Sequence, residues 1–576
     1  MDSPVTRAPS GAAESEGVFT SGMATGAVRM AGKRYIWHGQ AMPETVDAVV
    51  IGGGHHGLVA AATLADAGWD VVLLEAQPDV GGAVRSAELF PGYMSDLFSA
   101  FYPMSAVSPV IGALGLEDHG LSWTHAPTVL AHPSGPDDEH AAVLYRDPAR
   151  TAAHLAEADP RDGQTWLRLV EQWQQLKPHL LDTLFTPFPP VTGPAGLLRA
   201  LGGRATLDLA RFLLLPVRRM ATELFHAEPG RLLLSGNAMH ADIPPDAAGS
   251  GMFGWLMSML AQDVGFPVPV GGAGMLAQAM AARARASGVA VRVGDAVTRI
   301  GVRHGRVHDV TTVGGTTLRV RRAVIADVAA TSLYGDLLPP DTLPTRLLRA
   351  MERFDWDPPV VKLNWALDGP IPWHAGGAHG AGTVHLGADA DGIVIWMADL
   401  SAGRLPTTPF ALLGQMTTAD PTRSPAGTES AWAYTHLPRG TTADEPAELL
   451  AQRMEDMVEA HAPGFRERVS GRHLQRPSDL FAADANLVNG ALGGGTNQIH
   501  QQLFLRPVPG TGRPETVIRG LYLGSAAAHP GGSVHGACGA NAARAALADH
   551  GWAGPVRRLS TSALLTAIYG RGRSAR

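Results

Sequence analysis

The residues of this sequence whose types and spacing most clearly suggest chemistry are three glycines and one glutamate. Gly52, Gly54 and Gly57 fit the pattern G-x-G-x-x-G, and Glu75 follows at about the 20-residue distance at which dinucleotide-binding folds place an acid. The first glycine permits a tight turn, the second lets a pyrophosphate approach the backbone, and the third lets a helix pack close to a strand. A carboxylate at this distance suits two ribose hydroxyls and repels a 2′-phosphate. The spacing therefore predicts a dinucleotide site.

The elements needed to position these residues occur in the right order along the chain. Residues 48–51 are a short apolar run typical of a buried parallel strand, and residues 58–67 suit a helix of small residues that Gly68 ends. Residues 70–74 suit a second strand, which delivers Glu75. The helix N-terminus would offer unpaired N–H groups and the positive end of its dipole to a phosphate. The alternative interpretation is an ordinary strand–helix–strand unit with a tight turn and no ligand.

A second glycine pair indicates which dinucleotide is bound. Gly81 and Gly82 follow Glu75 in the arrangement E-x5-G-G, and Arg85 comes shortly after. This arrangement resembles FAD-binding flavoproteins of the amine oxidase and phytoene desaturase superfamily. In that family the second glycine pair lies against the FAD pyrophosphate and ribityl, where the lack of a side chain lets the backbone touch the cofactor. NAD-linked dehydrogenases do not usually carry the extra pair.

Two later blocks carry the same resemblance. Residues 267–330 resemble the family's second FAD segment, in which a strand residue, here Val297, pairs its backbone with the adenine. Residues 520–547 resemble the C-terminal FAD motif, although Ser525 stands where many relatives have an acid. His56 stands where relatives often have asparagine, so its backbone N–H is expected to matter more than its ring. The resemblance implies FAD as cofactor, no metal, and these binding residues: Gly52, Gly54, His56, Gly57, Glu75, Gly81, Gly82, Arg85, Val297, Gly524, Ser525 and Gly532.

The resemblance also implies the fold class and the order of the domains. We expect an α/β fold with a doubly wound, Rossmann-like FAD domain built from discontinuous segments, and an inserted α+β substrate domain. Strand-like runs at 360–367, 392–400 and 430–437 suggest the sheet of the substrate domain. The expected division is a weakly ordered extension (1–43), FAD segments (44–104, 256–335 and 501–552), substrate segments (105–255, mainly helical, and 336–500) and a basic C-terminal tail (553–576).

Composition excludes several classes of function. The chain has 576 residues, of which 45% are hydrophobic and 17% charged, and its formal net charge of −7 gives no indication of nucleic-acid binding. Its single cysteine, Cys538, excludes an intrachain disulfide and the disulfide-reductase branch of two-dinucleotide flavoproteins, which needs two sulfurs. No run reaches the roughly 18 apolar residues that span a bilayer. The sequence therefore predicts a cytoplasmic flavoprotein, with a peripheral membrane contact left open.

Residues 194–225 are the part of the sequence that could contact a membrane surface. This stretch is predominantly apolar, with arginines interspersed. A basic amphipathic helix can lie on a membrane surface, and it can equally form the roof of an apolar cavity. The third interpretation is a set of helices packed in the substrate domain, with arginine stems lying along apolar surface.

The predicted reaction follows from the cofactor. FAD carries the redox step in such proteins, while the protein supplies orientation and a dry cavity. We expect a desaturase or dehydrogenase in which hydride passes from a carbon of an apolar substrate to flavin. The sequence has no second strand–G-x-G-x-x-G–helix unit, so oxygen or a quinone is the expected electron acceptor. The reverse direction, saturation, stays open, and no catalytic residue is assigned. His500, His529 and His535 lie near cofactor-like segments, with structural roles as the alternative for each.

Two other functions are compatible with the same motifs. A flavin amine oxidase needs an aromatic cage and usually a lysine near the flavin, and the lysines here are few, notably Lys33, Lys177 and Lys362. A non-catalytic FAD-binding regulatory protein would bind the cofactor without turnover. Within the superfamily the blocks look closest to phytoene-desaturase-like proteins, a group that includes the pyridine nucleotide-disulfide oxidoreductase domain-containing type 2 proteins.

Overall fold

The structure is a computed structural model that describes residues 43–441, 443–510 and 512–570. The predicted N-terminal extension, apart from Pro43, and residues 571–576 of the predicted tail lie outside the described residues. The strands are β1 Thr45–Ile51, β2 Val71–Leu74, β3 Ser86–Phe90, β4 Tyr93–Asp96, β5 Trp123–Thr124, β6 Thr128–Pro133, β7 Ala141–Leu144, β8 Val268–Pro269, β9 Ala290–Arg292, β10 Val297–Arg303, β11 Arg306–Thr312, β12 Thr317–Ala326, β13 Val360–Leu367, β14 Ala381–Leu386, β15 Ala411–Gln415, β16 Glu429–His436, β17 Val469–Gln475 and β18 Leu521–Leu523.

Helices connect these strands and cover the sheets. The helices are α1 His55–Asp66, α2 Pro103–Val107, α3 Pro109–Gly112, α4 Pro148–Ala158, α5 Pro160–Phe185, α6 Thr192–Leu214, α7 Val217–Leu224, α8 Glu228–Ala238, α9 Ser250–Asp263, α10 Ala273–Ala286, α11 Ala330–Ser332, α12 Thr345–Met351, α13 Ala390–Ser401, α14 Met416–Ala419, α15 Asp444–His461, α16 Phe465–Arg468, α17 Pro477–Ala483, α18 Ala537–His550 and α19 Gly554–Tyr569. Within the described residues, none of these helices combines the length and apolar character needed to cross a membrane.

The first sheet has the strand order β10-β11-β12-β1-β2-β9, with β18 beside β12. The pairs β12–β1, β1–β2, β2–β9 and β12–β18 are parallel. Alternate residues of β1 face opposite sides: Ala48 and Val50 pack in the core with α1, α10 and α18, whereas Val49 and Ile51 pack with α12 and α19. Helices therefore cover both faces, which explains why β1 is apolar throughout. The doubly wound α/β fold expected from the sequence is confirmed.

The second sheet has the order β17-β13-β16-β15-β14-β6-β7. Its strands are antiparallel to their neighbours except for the parallel pair β14–β6. On one face Leu363 and Trp365 of β13 pack against Leu450 and Met454 of α15. The strands predicted at 360–367 and 430–437 are confirmed as β13 and β16. Residues 105–255, predicted to be mainly helical, also supply β6 and β7 to this sheet.

Two sequence-based expectations are wrong. Residues 392–400, expected as a strand, lie in helix α13, whose N-terminus is capped by Asp389 accepting a hydrogen bond from Gly392 N at 2.7 Å. A short buried apolar run does not distinguish strand from helix by periodicity alone. The basic tail expected from residue 553 instead forms helix α19, in which Leu565 and Tyr569 are buried. Arg557 of this helix is not solvated freely, because it pairs with Asp549 Oδ1 at 2.8 Å.

Candidate active site

The glycine turn after β1 forms the centre of the candidate site. Gly52 has a φ of +96°, which side chains rarely adopt, and Gly54 is the N-cap of α1. A Cβ on Gly57 would collide with the backbone oxygen of Gly52, so the third glycine allows α1 to lie directly against the turn. The three glycines therefore have the conformations and close approaches that the dinucleotide pattern requires.

Glu75 lies directly beside this turn, at the end of β2. Its Oε2 accepts a hydrogen bond from Gly53 N at 2.6 Å, and its Oε1 accepts one from Gln77 N at 2.8 Å. Two backbone donors thus fix the orientation of a buried carboxylate. This geometry suits the ribose-binding role that the sequence predicts for Glu75.

Two further acids lie near the turn and were missed in the sequence. Asp327 follows β12, and its Oδ2 accepts a hydrogen bond from Gly57 N at 2.7 Å. Burial, followed by the negative charges of Asp484 and Glu75, raises the pKa of Asp327 well above its ordinary value. Asp327 therefore accepts a hydrogen bond from an N–H of the first turn of α1, directly beside the candidate phosphate site. Burial also raises the pKa of Asp484.

The second glycine pair packs against the first loop. Gly81 N donates to Gly53 O at 2.8 Å, and a Cβ on Gly82 would lie 3.2 Å from the Cα of Gly54. Arg85 donates from its guanidinium to Gly82 O at 3.0 Å and to Ala483 O at 2.6 Å. Arg85 thus holds the loop through backbone oxygens, and its cofactor contact stays a prediction.

A cavity of about 970 Å³ joins the predicted cofactor segments. Its wall contains most of the predicted binding residues, namely Gly52, Gly54, His56, Glu75, Gly82, Val297, Ser525 and Gly532. The remaining four lie behind the wall rather than in it: Gly57, Gly81, Arg85 and Gly524. Residues from three distant parts of the chain therefore meet at one site, although their contacts with a cofactor stay predictions.

The rest of the cavity is predominantly apolar. Helices α5, α6 and α9 and the segment after α9 supply Leu181, Leu184, Leu213, Phe253, Leu256, Met257 and Phe266. A polar portion of the wall comes from the second sheet, where Lys362, Thr383, Trp432 and Tyr434 reach the cavity, and from His240 and Asp242 after α8. The cavity thus combines a glycine-rich cradle, a large apolar compartment and a small polar region.

Lys362 is the buried amine of that polar region. Its Nζ donates to Asp96 O and, at 3.2 Å, to Phe98 O, and it lies 5.3 Å from the centroid of the Trp432 ring. Burial is the main cause that lowers the pKa of Lys362, to about 7. The rings of Trp432 and Tyr434 are stacked with their centroids 5.9 Å apart. Lys362 is therefore a group that can hold or release a proton near neutral pH at the cavity wall.

The three histidines that lie near cofactor-like segments of the sequence have different environments. His535 lines the cavity, but its Nδ1 accepts from Ala537 N at 3.0 Å and its Nε2 faces Gly531 O at 3.2 Å. His529 also lines the cavity, and burial lowers its pKa to about 4. His500 is half-exposed, 3.5 Å from Asp355, and does not line the cavity. Among the described residues, His529 is the one of the three with a free ring nitrogen near the cofactor segment.

His535 also packs with His56 and Cys538, near the start of α18. Their nitrogen and sulfur atoms lie within 4.8 Å of one another, a spacing compatible with metal ligands. Both nitrogens of His535 are already engaged, and burial raises the pKa of the Cys538 thiol to about 12. A metal prefers thiolate and a free imidazole nitrogen, so the arrangement favours packing. A Cβ on Gly539 would collide with His56 O, which shows how closely α18 crosses α1 here.

Comparison with known proteins identifies the family of this chain. The sequence pattern of the family described as "Flavin containing amine oxidoreductase" matches residues 57–547. The chain belongs to this family. It is an FAD-dependent oxidoreductase, and the cradle fits that cofactor because the glycine turn leaves room for a pyrophosphate beside the oriented carboxylate of Glu75. The broader resemblance stated from the sequence is confirmed, whereas the phytoene-desaturase-like specificity stays a prediction.

Two curated relatives and one solved structure are similar to this chain. Pyridine nucleotide-disulfide oxidoreductase domain-containing protein 2 of Rattus norvegicus is 29% identical over 549 residues, covering 87% of this chain and 93% of that protein. A limonene dehydrogenase component from Castellaniella defragrans is 32% identical over 135 residues, covering 23% of this chain and 24% of that protein. Putrescine oxidase bound to putrescine superposes with a TM-score of 0.57 at 14% identity, covering 88% of this chain and 99% of that chain. At that identity the structural likeness concerns the fold alone.

Proposed function

We propose that this chain is an FAD-dependent dehydrogenase or desaturase that removes hydride from a carbon of an apolar substrate. The observation that supports this best is the continuity of the cofactor cradle with a large apolar compartment in one cavity. When bound, FAD supplies a hydride acceptor. The chain's own residues supply the rest: the side chains of α5, α6 and α9 exclude water, and Lys362 is available as a buried proton carrier. The limonene dehydrogenase component, a relative over part of its length, is named for an apolar hydrocarbon.

Oxygen or a quinone remains the proposed electron acceptor. The support is that, among the described residues, β1, the Gly52–Gly57 turn and α1 are the one strand–G-x-G-x-x-G–helix unit, and the FAD cradle uses it; a second match to the glycine pattern, Gly249–Gly254, follows no strand. A nicotinamide cofactor would need its own phosphate-binding turn and helix N-terminus.

A flavin amine oxidase is the second candidate function. Lys362 and the stacked pair of Trp432 and Tyr434 favour it, because that chemistry uses a lysine and aromatic rings close to the flavin. Within the last cofactor segment, residues 525–534, which contribute to the cavity wall, contain no phenylalanine, tyrosine or tryptophan, and this argues against an aromatic cage there.

The test begins with the absorption spectrum of the purified protein. We expect visible flavin bands, and we expect their loss in Gly54→Trp because an indole would fill the space of the pyrophosphate. Gly112→Trp is the matched control, since a Cβ at Gly112 meets no atom within 4 Å. Anaerobic mixing should then bleach the flavin with limonene and not with putrescine. Bleaching by amines alone would overturn the proposal in favour of the amine oxidase, and a colourless protein that binds no FAD would overturn both.

We also propose that α6 rests on an anionic membrane surface beside the mouth of the cavity. Leu214, Ile499 and Leu503 line the cavity and are 53%, 43% and 40% exposed, so the mouth has an apolar rim. Leu198 and Leu207 of α6 are also exposed. The helix, which is kinked at Gly202, carries three arginines and one aspartate; Arg204 pairs with that aspartate and Arg211 with Glu223 of α7, so a small net positive charge complements anionic lipid. An apolar substrate dissolved in the membrane would enter this mouth without crossing water.

A further inference from the structure

Asp242 is a buried carboxylate of the cavity wall that the proposed hydride transfer does not use. It follows the short 3₁₀ turn Met239–Ala241, and its backbone is left-handed, with φ +57° and ψ +30°. Aspartate is one of the few residue types that tolerate this region. Its backbone N–H donates to Met239 O at 3.2 Å, and its side chain is 8% exposed. The turn therefore presents this carboxylate to the cavity in a fixed position.

His436, the last residue of β16, contacts the carboxylate of Asp242. Its Nε2 lies 2.9 Å from Asp242 Oδ1, and its Nδ1 lies 3.2 Å from Pro358 O. A carbonyl only accepts hydrogen bonds, so Nδ1 of His436 carries hydrogen, whereas Nε2 contacts the carboxylate without forming a hydrogen bond of good geometry. Burial acts to lower the pKa of His436, but Asp242 and the Pro358 carbonyl outweigh it and raise that pKa. The raised pKa therefore favours a positive charge on His436 beside the Asp242 carboxylate.

The surroundings of Asp242 differ from those of the other acids in the wall. Glu75, Asp327 and Asp484 border the glycine turn of the cofactor cradle. Asp242 lies instead beside the second sheet, close enough to Tyr434 for its charge to help raise the pKa of that phenol. Among the described residues, Asp242 Oδ1 is buried and accepts no hydrogen bond of good geometry, although His436 Nε2 lies 2.9 Å away. That oxygen is an acceptor in the small polar region of the wall, beside the large apolar compartment, and an unpaired acceptor there needs a donor from a ligand.

We propose that Asp242, oriented by His436, binds a hydroxyl group of the substrate. The inference rests on the proposed function and adds to it a preference, among apolar molecules, for one that carries a hydroxyl. A hydroxyl donates one hydrogen bond to the carboxylate and brings no charge into the cavity. An ammonium group would bring its positive charge next to His436, whose own charged form the surroundings favour, and its lost hydration would not be replaced.

Binding of three probes that share one alkyl chain tests this assignment. The FAD-loaded protein is titrated calorimetrically in sealed cells with octan-1-ol, octane and octylamine. We expect octan-1-ol to bind at least about tenfold more tightly than octane, the effect of one hydrogen bond to a charged group. We expect octylamine to bind more weakly than octan-1-ol. Equal affinities for octan-1-ol and octane, or tighter binding of octylamine, would overturn the proposal.

Two variants assign the preference to Asp242. Asp242→Asn keeps the side-chain shape, and asparagine also tolerates the left-handed backbone region, but the substitution removes the charge. We therefore expect the preference for octan-1-ol over octane to fall about fivefold or more, while the affinity for octane is unchanged. Thr383→Val, which removes another polar group of the wall, should keep the preference. Loss of the preference in Thr383→Val but not in Asp242→Asn would overturn the assignment. If Asp242→Asn does not fold, the ratio of the octan-1-ol and octane affinities of the wild-type protein still tests the proposal.

The outcome is separable from that of the proposed function. The three affinities are measured without turnover. If no apolar compound reduces the flavin, the proposed function fails, whereas the octan-1-ol preference is still observed. If limonene bleaches the flavin but the preference is missing, only the hydroxyl site fails.

Discussion

At the scale of single residues, Lys362 gives a pH-dependent prediction. Burial lowers its pKa from an ordinary value of 10.5 to about 7, so between these values the folded protein binds fewer protons than the unfolded chain. Stability should therefore rise with pH between about 7 and 10.5, by up to about 1.4 kcal/mol per pH unit, and this contribution should level off below the folded pKa, where both states bind the proton. Urea unfolding at pH 7, 8 and 9 should show wild type gaining stability relative to Lys362→Met.

The control for this measurement is Lys177→Met. Lys177 is a partly exposed lysine that pairs with Asp263 at 2.6 Å. Its difference from wild type should stay constant over the same pH range. A constant difference for Lys362→Met as well would contradict the assignment of a neutral buried amine.

The residue scale also shows what sequence reasoning could reach. The glycine turn and Glu75 were predictable because their partners lie within one strand–helix–strand unit. Asp327 was not, because it meets Gly57 across 270 positions of the chain. Asp242 and His436 were missed for the same reason, and neither carries a local motif. The left-handed backbone of Asp242, which would have marked it, is visible only in the structure.

At the scale of elements, the crossing of α1 and α18 depends on Gly539. Because any Cβ at this position meets His56 O, Gly539→Ala must push the two helices apart. We expect a loss of about 1–3 kcal/mol in the free energy of unfolding, together with weaker FAD retention. Gly112→Ala, at a position with open space, should stay close to wild type. Thermal melting and the ratio of flavin to protein absorbance measure both effects; equal behaviour of the two variants would show that the crossing is not tight.

Helix α6 gives a second prediction at this scale. Leu198→Glu combined with Leu207→Glu should reduce co-sedimentation with phosphatidylglycerol vesicles about tenfold, because it removes apolar contact and adds negative charge. Ile395→Glu, which changes an exposed apolar residue of α13, is the matched control. Binding should weaken in high salt and in phosphatidylcholine vesicles. Wild type that stays in the supernatant, or variants that change the oligomeric state instead, would overturn the membrane contact.

The two incorrect element predictions have distinct physical reasons. The run at 392–400 hid its helical period because the exposed face of α13 also carries apolar residues, Ile395 and Ala398, and Asp399 is the one charged residue of the run. The C-terminal arginines suggested a solvated tail, yet Arg557 is paired with two acids, Glu515 and Asp549. Only the three-dimensional position of those acids shows that this charge is part of the fold.

At the scale of the whole molecule, the cradle collects segments from distant parts of the chain. A ligand that touches all of them stabilises the folded state as a whole, by about 2.7 kcal/mol at 100 times its Kd. FAD should therefore raise the melting temperature of protein stripped of its flavin, whereas NADP⁺ should not, because Glu75 repels a 2′-phosphate. Gly54→Trp should show no shift with FAD. A shift with NADP⁺ equal to that with FAD would contradict the assigned role of Glu75.

The crossing at Gly539 has a consequence for experiments on motion. The neighbouring Cys538 is the single cysteine of the chain, is fully buried, and has a thiol that burial keeps protonated. A thiol reagent can reach it only while the start of α18 is detached from α1. The rate at which Cys538 is labelled thus reports how often the contact between α1 and α18 beside the cofactor site opens. The measurement needs no engineered probe and has no background from other thiols.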